Sequence, residues 1–204
     1  MELKNIRQKL SGHEAELIRP KNTVIASVLV PLVERDGEMH VLFEKRESHI
    51  PQGGEICFPG GHAEGSETPA EAAVRETSEE LMMPIENIEL LAPLHILPGR
   101  GIKEVHSFVG ILHDYAGGAD PAEVERVFTL PLSELLETPP KIYKGRLQVQ
   151  PGDDFPFDAI PGGRNYPFAY ATRKFYFYDS PCGAIWGLTA EMLYNFLELL
   201  KNNE

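Results

Sequence analysis

The strongest constraint on how this chain folds is a helix whose start and end are both marked in the sequence. Thr68 is a good N-cap residue, Pro69 suits the first helical position, and Glu71 completes a capping box with Thr68. Pro84 ends the helix, because the residue before a proline is pushed out of the helical conformation. The pattern predicts a helix over residues 69–82, around which the rest of the fold has to be arranged.

One face of the predicted helix carries three glutamates, Glu76, Glu79 and Glu80, at positions i, i+3 and i+4. Their Cβ atoms are then neighbours on one face, about 5–6 Å apart, and like charges this close repel one another. Hard divalent cations such as Mg²⁺ or Mn²⁺ bind carboxylate oxygens and would reverse the sign of that interaction. Arg75 lies one turn before Glu79, where an ion pair can orient its carboxylate. A solvated acidic face is the alternative interpretation of the three glutamates alone.

The spacing around the helix resembles the signature of a known enzyme family. The sequence reads Gly61, five residues, Glu67, seven residues, Arg75-Glu76, two residues, Glu79-Glu80. This is similar to the Nudix box, Gly-x5-Glu-x7-Arg-Glu-U-x-Glu-Glu-x-Gly-U, in which U is an aliphatic residue. Six charged or glycine positions match at the same spacing, which favours a functional interpretation over a solvated face.

Two positions depart from the pattern without removing a carboxylate. Thr77 stands where an aliphatic residue is usual, but threonine is close to valine in shape, and its hydroxyl can bond a helical carbonyl. Met82 stands at the final glycine, which normally supplies a left-handed C-cap. We expect Pro84 to end the helix in a different way.

The resemblance implies an α/β (α+β) fold, an α/β/α sandwich with a mixed sheet and a loop–helix–loop catalytic element. It implies a pyrophosphohydrolase that cleaves the diphosphate linkage of a nucleoside diphosphate derivative, with Mg²⁺ or Mn²⁺ as cofactor. By position, Glu76, Glu79 and Glu80 match the metal ligands. The metal polarises phosphoryl oxygens and acidifies water, and a carboxylate removes the proton. Glu76 and Glu79 are candidate catalytic residues, with Glu76 or a glutamate of a later loop as the base.

Four further residues take their roles from the same resemblance. Glu67 and Arg75 match positions with a supporting, mostly structural role. Gly60 and Gly61 are assigned to substrate binding, because glycines let the backbone approach phosphates closely.

Several single residues outside the box have two interpretations each. Glu123 is the candidate catalytic base from a later loop, with Glu125 as its alternative, but a surface carboxylate before a strand is equally ordinary. Arg46 binds a substrate phosphate bidentately or ends a strand. Trp186 is a core residue or stacks on adenine. Cys57 is interpreted as a small buried apolar side chain and not as a nucleophile.

The remaining elements are strands mixed with few helices. Strands are predicted over residues 23–30, 39–46, 88–97, 105–112, 142–149 and 168–178. The turn signal Asp36-Gly37 predicts a hairpin between the first two of these strands. A second long helix is predicted over residues 189–200, with Thr189 as its N-cap. We expect one domain over residues 1–204, with a helical extension at 1–20 and a loop insertion at 150–168.

Composition excludes several classes of partner. The formal net charge is −12, so the chain has no generic attraction for nucleic acid and repels a free polyphosphate unless metal ions or arginines intervene. No apolar run reaches the roughly 20 residues of a membrane span.

The compartment and the partner are also expected from the sequence. With no signal peptide pattern and two cysteines, Cys57 and Cys182, we expect a reduced, cytoplasmic protein. The expected partner is a small-molecule nucleotide, and the implied fold is compatible with a homodimer.

The resemblance extends to one branch of the family. The segments 42–46, 54–61, 123–132 and 185–190 look like signatures of the coenzyme A pyrophosphatases, which cut coenzyme A to 3′,5′-ADP and 4′-phosphopantetheine. Pro51 stands where the branch has a second arginine, and the spacing from Arg46 to Phe58 is one residue short. The arginines of that signature are candidates for binding the extra phosphate of the substrate.

Two alternative functions stay open at this point. One is hydrolysis of ADP-ribose, another nucleotide sugar or a damaged nucleotide. The other is a non-catalytic, nucleotide-binding regulatory module, which should show gaps among the carboxylates of the box. No carboxylate of the box is missing here.

Overall fold

The computed structural model of the chain describes residues 2–14, 18, 20–99 and 103–202. The helices are α1 (Leu3–Leu10), α2 (Pro69–Glu80), α3 (Leu132–Glu137) and α4 (Gly187–Lys201). The strands are β1 (Val24–Arg35), β2 (Glu38–Arg46), β3 (Ile56–Cys57), β4 (Gly60–His62), β5 (Ile88–Pro98), β6 (Lys103–Leu112), β7 (Val124–Pro131), β8 (Lys141–Gln148), β9 (Tyr170–Ser180) and β10 (Gly183–Ile185). Among the described residues, no helix is both long and apolar enough to cross a membrane.

A mixed sheet forms the centre of the molecule. Its strand order is β3-β2-β1-β6-β5, with β4 also pairing with β1 and β7 with β2. The β1–β6 pair is parallel, whereas β1 and β2 form the hairpin predicted from the sequence. Asp36 and Gly37 have φ angles of 53° and 79°, the left-handed values that a two-residue hairpin turn of type I′ requires.

Helices cover both faces of this sheet. Neighbouring residues of a strand point to opposite sides, and in β1 and β2 the side chains on both sides are mostly apolar and need to be buried. Leu29 and Leu42 pack with Leu81, at the end of α2, in one core. Val30 and Phe43 belong to a second core on the other face, which α4 closes. The buried α4 members of that core are Ala190, Met192, Leu193, Phe196 and Leu197. The expected α/β/α sandwich with a mixed sheet is therefore confirmed.

A second, three-stranded sheet of order β10-β9-β8 adjoins α4. The rings of Tyr176 on β9 and Tyr194 on α4 stack with their centroids 4.2 Å apart. Between β8 and β9, the segment expected to be a loop insertion contains two short 3-10 turns, Phe157–Ala159 and Gly163–Asn165. This sheet brings β9 to the same side of the main sheet as α4.

The helix predictions succeed where the signals are local. Helix α2 begins at Pro69, and both reciprocal bonds of the Thr68–Glu71 capping box are present. The predicted threonine N-cap of α4 is wrong: the helix begins at Gly187, and Thr189 is buried within its first turn. Because Thr189 packs inward, its hydroxyl does not cap the helix.

Candidate active site

Helix α2 presents its glutamates at three different depths. The side chain of Glu80 is 5% exposed, that of Glu76 is 19% exposed and that of Glu79 is 61% exposed. The helix is fixed on the sheet by its opposite side, where Thr77 is fully buried and its hydroxyl donates to the carbonyl of Ala73 at 2.7 Å. The hydroxyl at this aliphatic position of the pattern is thus satisfied within the helix, as expected.

Arg75 connects the loop before α2 with the acidic face. Its guanidinium lies 2.8 Å from Glu67, 3.1 Å from Glu76 and 2.9 Å from Glu79. It also donates to the carbonyl of His62 at 3.1 Å. Hydrogen bonding to Arg75 is the main cause that lowers the pKa of Glu67. The ion pair expected between Arg75 and Glu79 is present, and one arginine holds three of the box carboxylates in place.

Glu80 is a buried carboxylate tied to the glycine-rich loop. Its Oε2 accepts a hydrogen bond of 2.7 Å from the backbone N–H of Gly60, and its Oε1 lies 3.9 Å from Nη1 of Arg46. The pKa of Glu80 is raised to about 7, mainly by burial and in part by the charges of Glu123 and Glu76. Glu80 therefore takes up a proton near neutral pH unless a cation stabilises its charge.

Gly60 and Gly61 occupy positions where the chain packs closely inside the protein. Gly60 has a φ of 152°, and a Cβ at this position would collide with the carbonyl of Ser27 on β1. A Cβ on Gly61 would collide with the carboxylate of Glu76. A side chain at position 60 would have to move β4 away from β1, whereas one at position 61 would displace the carboxylate of Glu76. The glycines thus let Glu76 and Glu80 lie directly against the loop.

Glu44 on β2 joins the carboxylates of α2 and had no role in the sequence analysis. Its side chain is almost fully buried, its Oε2 lies 4.0 Å from the sulfur of Cys57, and its Oε1 has no hydrogen-bond partner among the described residues. Burial, followed by the charge of Glu80, raises the pKa of Glu44 well above its usual range. The available signal was a carboxylate within an otherwise apolar strand.

Glu123 and Glu125, the two candidate loop bases, have different surroundings. The carboxylate of Glu125 is paired with Nζ of Lys45 at 2.7 Å. Glu123 is exposed and immediately precedes β7, next to the acidic cluster. Its charge raises the pKa of three carboxylates, those of Glu44, Glu76 and Glu80. Of the two, Glu123 is the one that the fold brings to the α2 carboxylates.

The donor set has the chemistry of a divalent cation site. The charge of Glu123 raises the pKa of both Glu76 and Glu80, and the charge of Glu76 also raises that of Glu80. A hard dication relieves such a surplus of negative charge. No three His, Cys, Asp or Glu side chains within the described ranges converge in a ligand arrangement. Arg75 and the N–H of Gly60 set the carboxylate positions instead. By donor type, these residues fit Mg²⁺ or Mn²⁺.

Met82 ends α2 in the conformation that the pattern assigns to glycine. Its φ is 49°, and its N–H bonds the carbonyl of Glu79 at 3.2 Å while that of Met83 bonds Ser78 at 3.0 Å. These two bonds form a Schellman motif with a non-glycine residue in the left-handed position. The expectation that Pro84 would replace this ending is therefore wrong, because the backbone geometry is kept.

A cavity of about 410 Å³ opens beside the glycine-rich loop. One wall carries Arg46, Gly60 and Gly61, and the other walls come from β9 and from the start of α4. Residues of these other walls include Arg173, Lys174, Phe175, Trp186, Glu191 and Met192. The volume suits part of a nucleotide-sized ligand.

The structure also decides two open interpretations of single residues. Trp186 is 37% exposed, lines the cavity and stacks on Phe177 with ring centroids 6.0 Å apart, so its assignment to the core is wrong. Burial and the charge of Glu44 raise the pKa of Cys57. The thiolate form that a nucleophile needs is therefore disfavoured, in agreement with the sequence interpretation.

Comparisons with known proteins agree with this geometry. The family described as NUDIX domain matches residues 23–150 of the chain. Nudix hydrolase 3 of Caenorhabditis elegans is 30% identical over 211 residues, which cover 98% of this chain and 83% of the relative.

Two further relatives match the chain over shorter stretches. The peroxisomal coenzyme A diphosphatase NUDT7 of Mus musculus is 34% identical over 134 residues, or 63% of this chain. This chain spans 55% of the length of that relative. The uncharacterized Nudix hydrolase NudL of Enterobacter sp. (strain 638) is 36% identical over 130 residues, covering 59% of this chain and 67% of the relative.

Proposed function

This chain belongs to the Nudix hydrolase family, and we propose that it cleaves the diphosphate linkage of coenzyme A or an acyl-CoA. Water attacks one phosphorus, the bond to the bridging oxygen breaks, and the products are 3′,5′-ADP and 4′-phosphopantetheine or its acyl derivative. The observation that carries the proposal is the carboxylate cluster of α2 beside the Gly60–Gly61 loop, at the edge of the cavity. The similarity to a coenzyme A diphosphatase supports the choice of substrate.

Different residues of the chain hold the metal, orient the carboxylates and position the diphosphate. Nudix enzymes generally use divalent metal ions, and Glu76, Glu79 and Glu80 would hold Mg²⁺ or Mn²⁺, which neutralises phosphoryl charge when bound. Arg75 orients Glu76 and Glu79 and leaves the outer oxygens available. The backbone beside Gly61 positions the diphosphate against this face.

We assign the proton transfer to Glu123. It is exposed, it lies at the edge of the cluster, and no ion pair to a described residue engages it, whereas Glu76 is held by Arg75. A water molecule between Glu123 and the phosphorus would lose its proton to this carboxylate as the new P–O bond forms. Glu76 is the alternative base, and a Glu123→Gln variant that keeps the wild-type rate would select it.

The test is product analysis by liquid chromatography and mass spectrometry after incubation with Mg²⁺ or Mn²⁺. The substrate panel contains coenzyme A, acetyl-CoA, ADP-ribose, NADH and 8-oxo-dGTP. Release of 3′,5′-ADP from coenzyme A, abolished by EDTA, is the expected result. Cleavage of another compound alone would keep the hydrolase chemistry and discard coenzyme A. Absence of cleavage throughout would favour a nucleotide-binding regulatory module.

A further inference from the structure

Arg173 on β9 gives the cavity a cationic group far along the sequence from the Nudix box. It lines the cavity, and its Nη2 lies 2.8 Å from Oε2 of Glu191 on α4. The guanidinium also lies over the ring of Phe175, 6.0 Å from its centroid. Both members of the ion pair belong to the part of the chain beyond residues 23–150, which the family match does not cover.

The other arginine of the cavity wall is already engaged near the carboxylate cluster. Arg46 donates from Nε to the carbonyl of Pro51 at 3.2 Å, and its Nη1 faces Glu80. Among the described residues that line the cavity, the remaining basic side chains are Arg173 and its neighbour Lys174. The cationic side chains that this lining offers to a second anionic group are therefore both on β9.

We propose that Arg173, held by Glu191, binds a phosphate monoester on the nucleoside half of the substrate, beyond the diphosphate that is cleaved. This inference rests on the proposed diphosphate hydrolysis, because the substrate has to reach the carboxylate cluster and β9 together. A guanidinium has five N–H donors in a rigid fork. The contact with Glu191 uses one terminal nitrogen and leaves another edge for phosphate oxygens.

The surroundings of Arg173 suit a nucleoside phosphate better than an isolated anion. Trp186 is partly exposed on the cavity wall, and an exposed indole face stacks on a purine base. The side chains of Arg173 and Glu191 are 30% and 27% exposed. Ion pairs with this much solvent contact stabilise a fold little, so stability does not account for a pair on the cavity wall.

The test compares two nucleotides that differ only in the 3′-phosphate. Full-length protein with Mg²⁺ is titrated with 3′,5′-ADP and with 5′-AMP by isothermal titration calorimetry. We expect the wild type to bind 3′,5′-ADP at least about tenfold more tightly, as for one good charge-assisted pair. In Arg173→Met this advantage should fall below about twofold, with 5′-AMP affinity unchanged.

Matched variants separate binding from folding. Arg146→Met removes another β-strand arginine, one that lies over Tyr170 outside the cavity lining, and should leave the ratio of affinities unchanged. Arg173→Lys should keep part of the advantage, since the charge remains. Equal affinities for the two nucleotides in the wild type would overturn the proposal. So would an Arg173→Met variant that folds, by circular dichroism, but weakens both nucleotides equally.

Kinetics then distinguish this inference from the proposed function. The value of kcat/KM for coenzyme A should exceed that for dephospho-coenzyme A, and Arg173→Met should remove the difference through KM. If coenzyme A is not hydrolysed but 3′,5′-ADP keeps its binding advantage, the substrate assignment fails and the Arg173 site stands. If both coenzymes are cleaved equally well and both nucleotides bind equally, the Arg173 site fails and the hydrolase assignment stands.

Discussion

At the scale of single residues, the acidic cluster holds carboxylates where the solvent screens their charge poorly. Glu44 and Glu80 are both buried, and the pKa of each is raised mainly by its own burial and in addition by repulsion from neighbouring carboxylates. Their charged forms are costly in the absence of a cation and become favourable when one is bound. The protonation of the cluster is therefore linked to the stability of the metal-free protein.

Glu44→Gln should stabilise the metal-free protein at pH 8. Because burial raises the folded-state pKa of Glu44, its protonated form contributes stability that is complete below the usual glutamate range and is lost as pH rises through the folded value. Glutamine has the same shape without the charge. In EDTA at pH 8 we expect a gain of about 1–3 kcal/mol in the free energy of unfolding.

Urea denaturation at pH 5 and pH 8 measures this effect. The gain should shrink at pH 5, where the wild-type carboxyl keeps its proton. A variant less stable than wild type at pH 8 would show that the Glu44 charge has a favourable partner.

Glu79→Gln and Glu80→Gln should each lower turnover at least about a hundredfold while the fold persists, since each removes a charged donor for the cation. The Gly60 N–H can still donate to a glutamine oxygen at position 80, so the loop should stay in place. Glu89→Gln, which changes an exposed carboxylate paired with His113, is the control and should keep the wild-type rate. Near-wild-type rates in either test variant would refute the ligand assignment.

At the scale of elements, α2 ends in the left-handed conformation that glycine usually adopts, although the residue there is Met82. Met82 adopts the left-handed conformation and is 65% exposed, so its side chain contributes little packing. A Cβ in this conformation costs about 1–2 kcal/mol. The surrounding Schellman bonds hold the helix end in this shape despite that cost.

We therefore expect Met82→Gly to be more stable than Met82→Ala by about 1 kcal/mol, because only glycine relieves the backbone strain. Both variants remove the methionine side chain, so alanine is the matched control. Thermal unfolding of the pair measures the difference. Equal midpoints would mean that the left-handed backbone is not strained.

How much of the fold could be predicted differs from element to element for physical reasons. Helix α2 and the β1–β2 hairpin follow from caps and turn residues that act within a few positions of the chain. Strands β3 and β4 are two and three residues long, which is too short for a periodic sequence pattern. They form because they pair with neighbouring strands of the folded sheet. The start of α4 was placed too late because a buried threonine resembles a capping threonine in sequence.

The candidate site divides in the same way. The box residues were identified because their spacing on one helix is a local property. Glu44 and Arg173 were not identified, because their neighbours, Glu80 and Glu191, come from distant segments. A single sequence contains no direct record of those contacts. The core interpretation of Trp186 relied on the general burial of large aromatic residues, and its exposure on the cavity wall depends on contacts that the sequence does not contain.

At the scale of the whole molecule, the two ends of the chain differ in what they bury. Helix α1 buries no residue, whereas α4 closes one of the two cores of the sandwich. We expect that a protein lacking residues 2–14 has a free energy of unfolding within about 1 kcal/mol of the wild-type value. A chain ending at residue 150 should fail to fold, because it exposes one face of the sheet.

Expression of both truncations and their melting by circular dichroism test this difference. A chain of residues 1–150 that melts cooperatively would show that the region of the family match folds without α4.

The walls of the cavity come from two parts of the chain, and this affects how substrate preference can change during evolution. The glycine-rich loop and α2 lie within the family match, whereas β9, Trp186 and Glu191 lie after it. Substitutions in the late segment can alter which molecule is accepted without disturbing the groups that break the bond. Relatives with the same box can thus differ in substrate preference while sharing one chemistry.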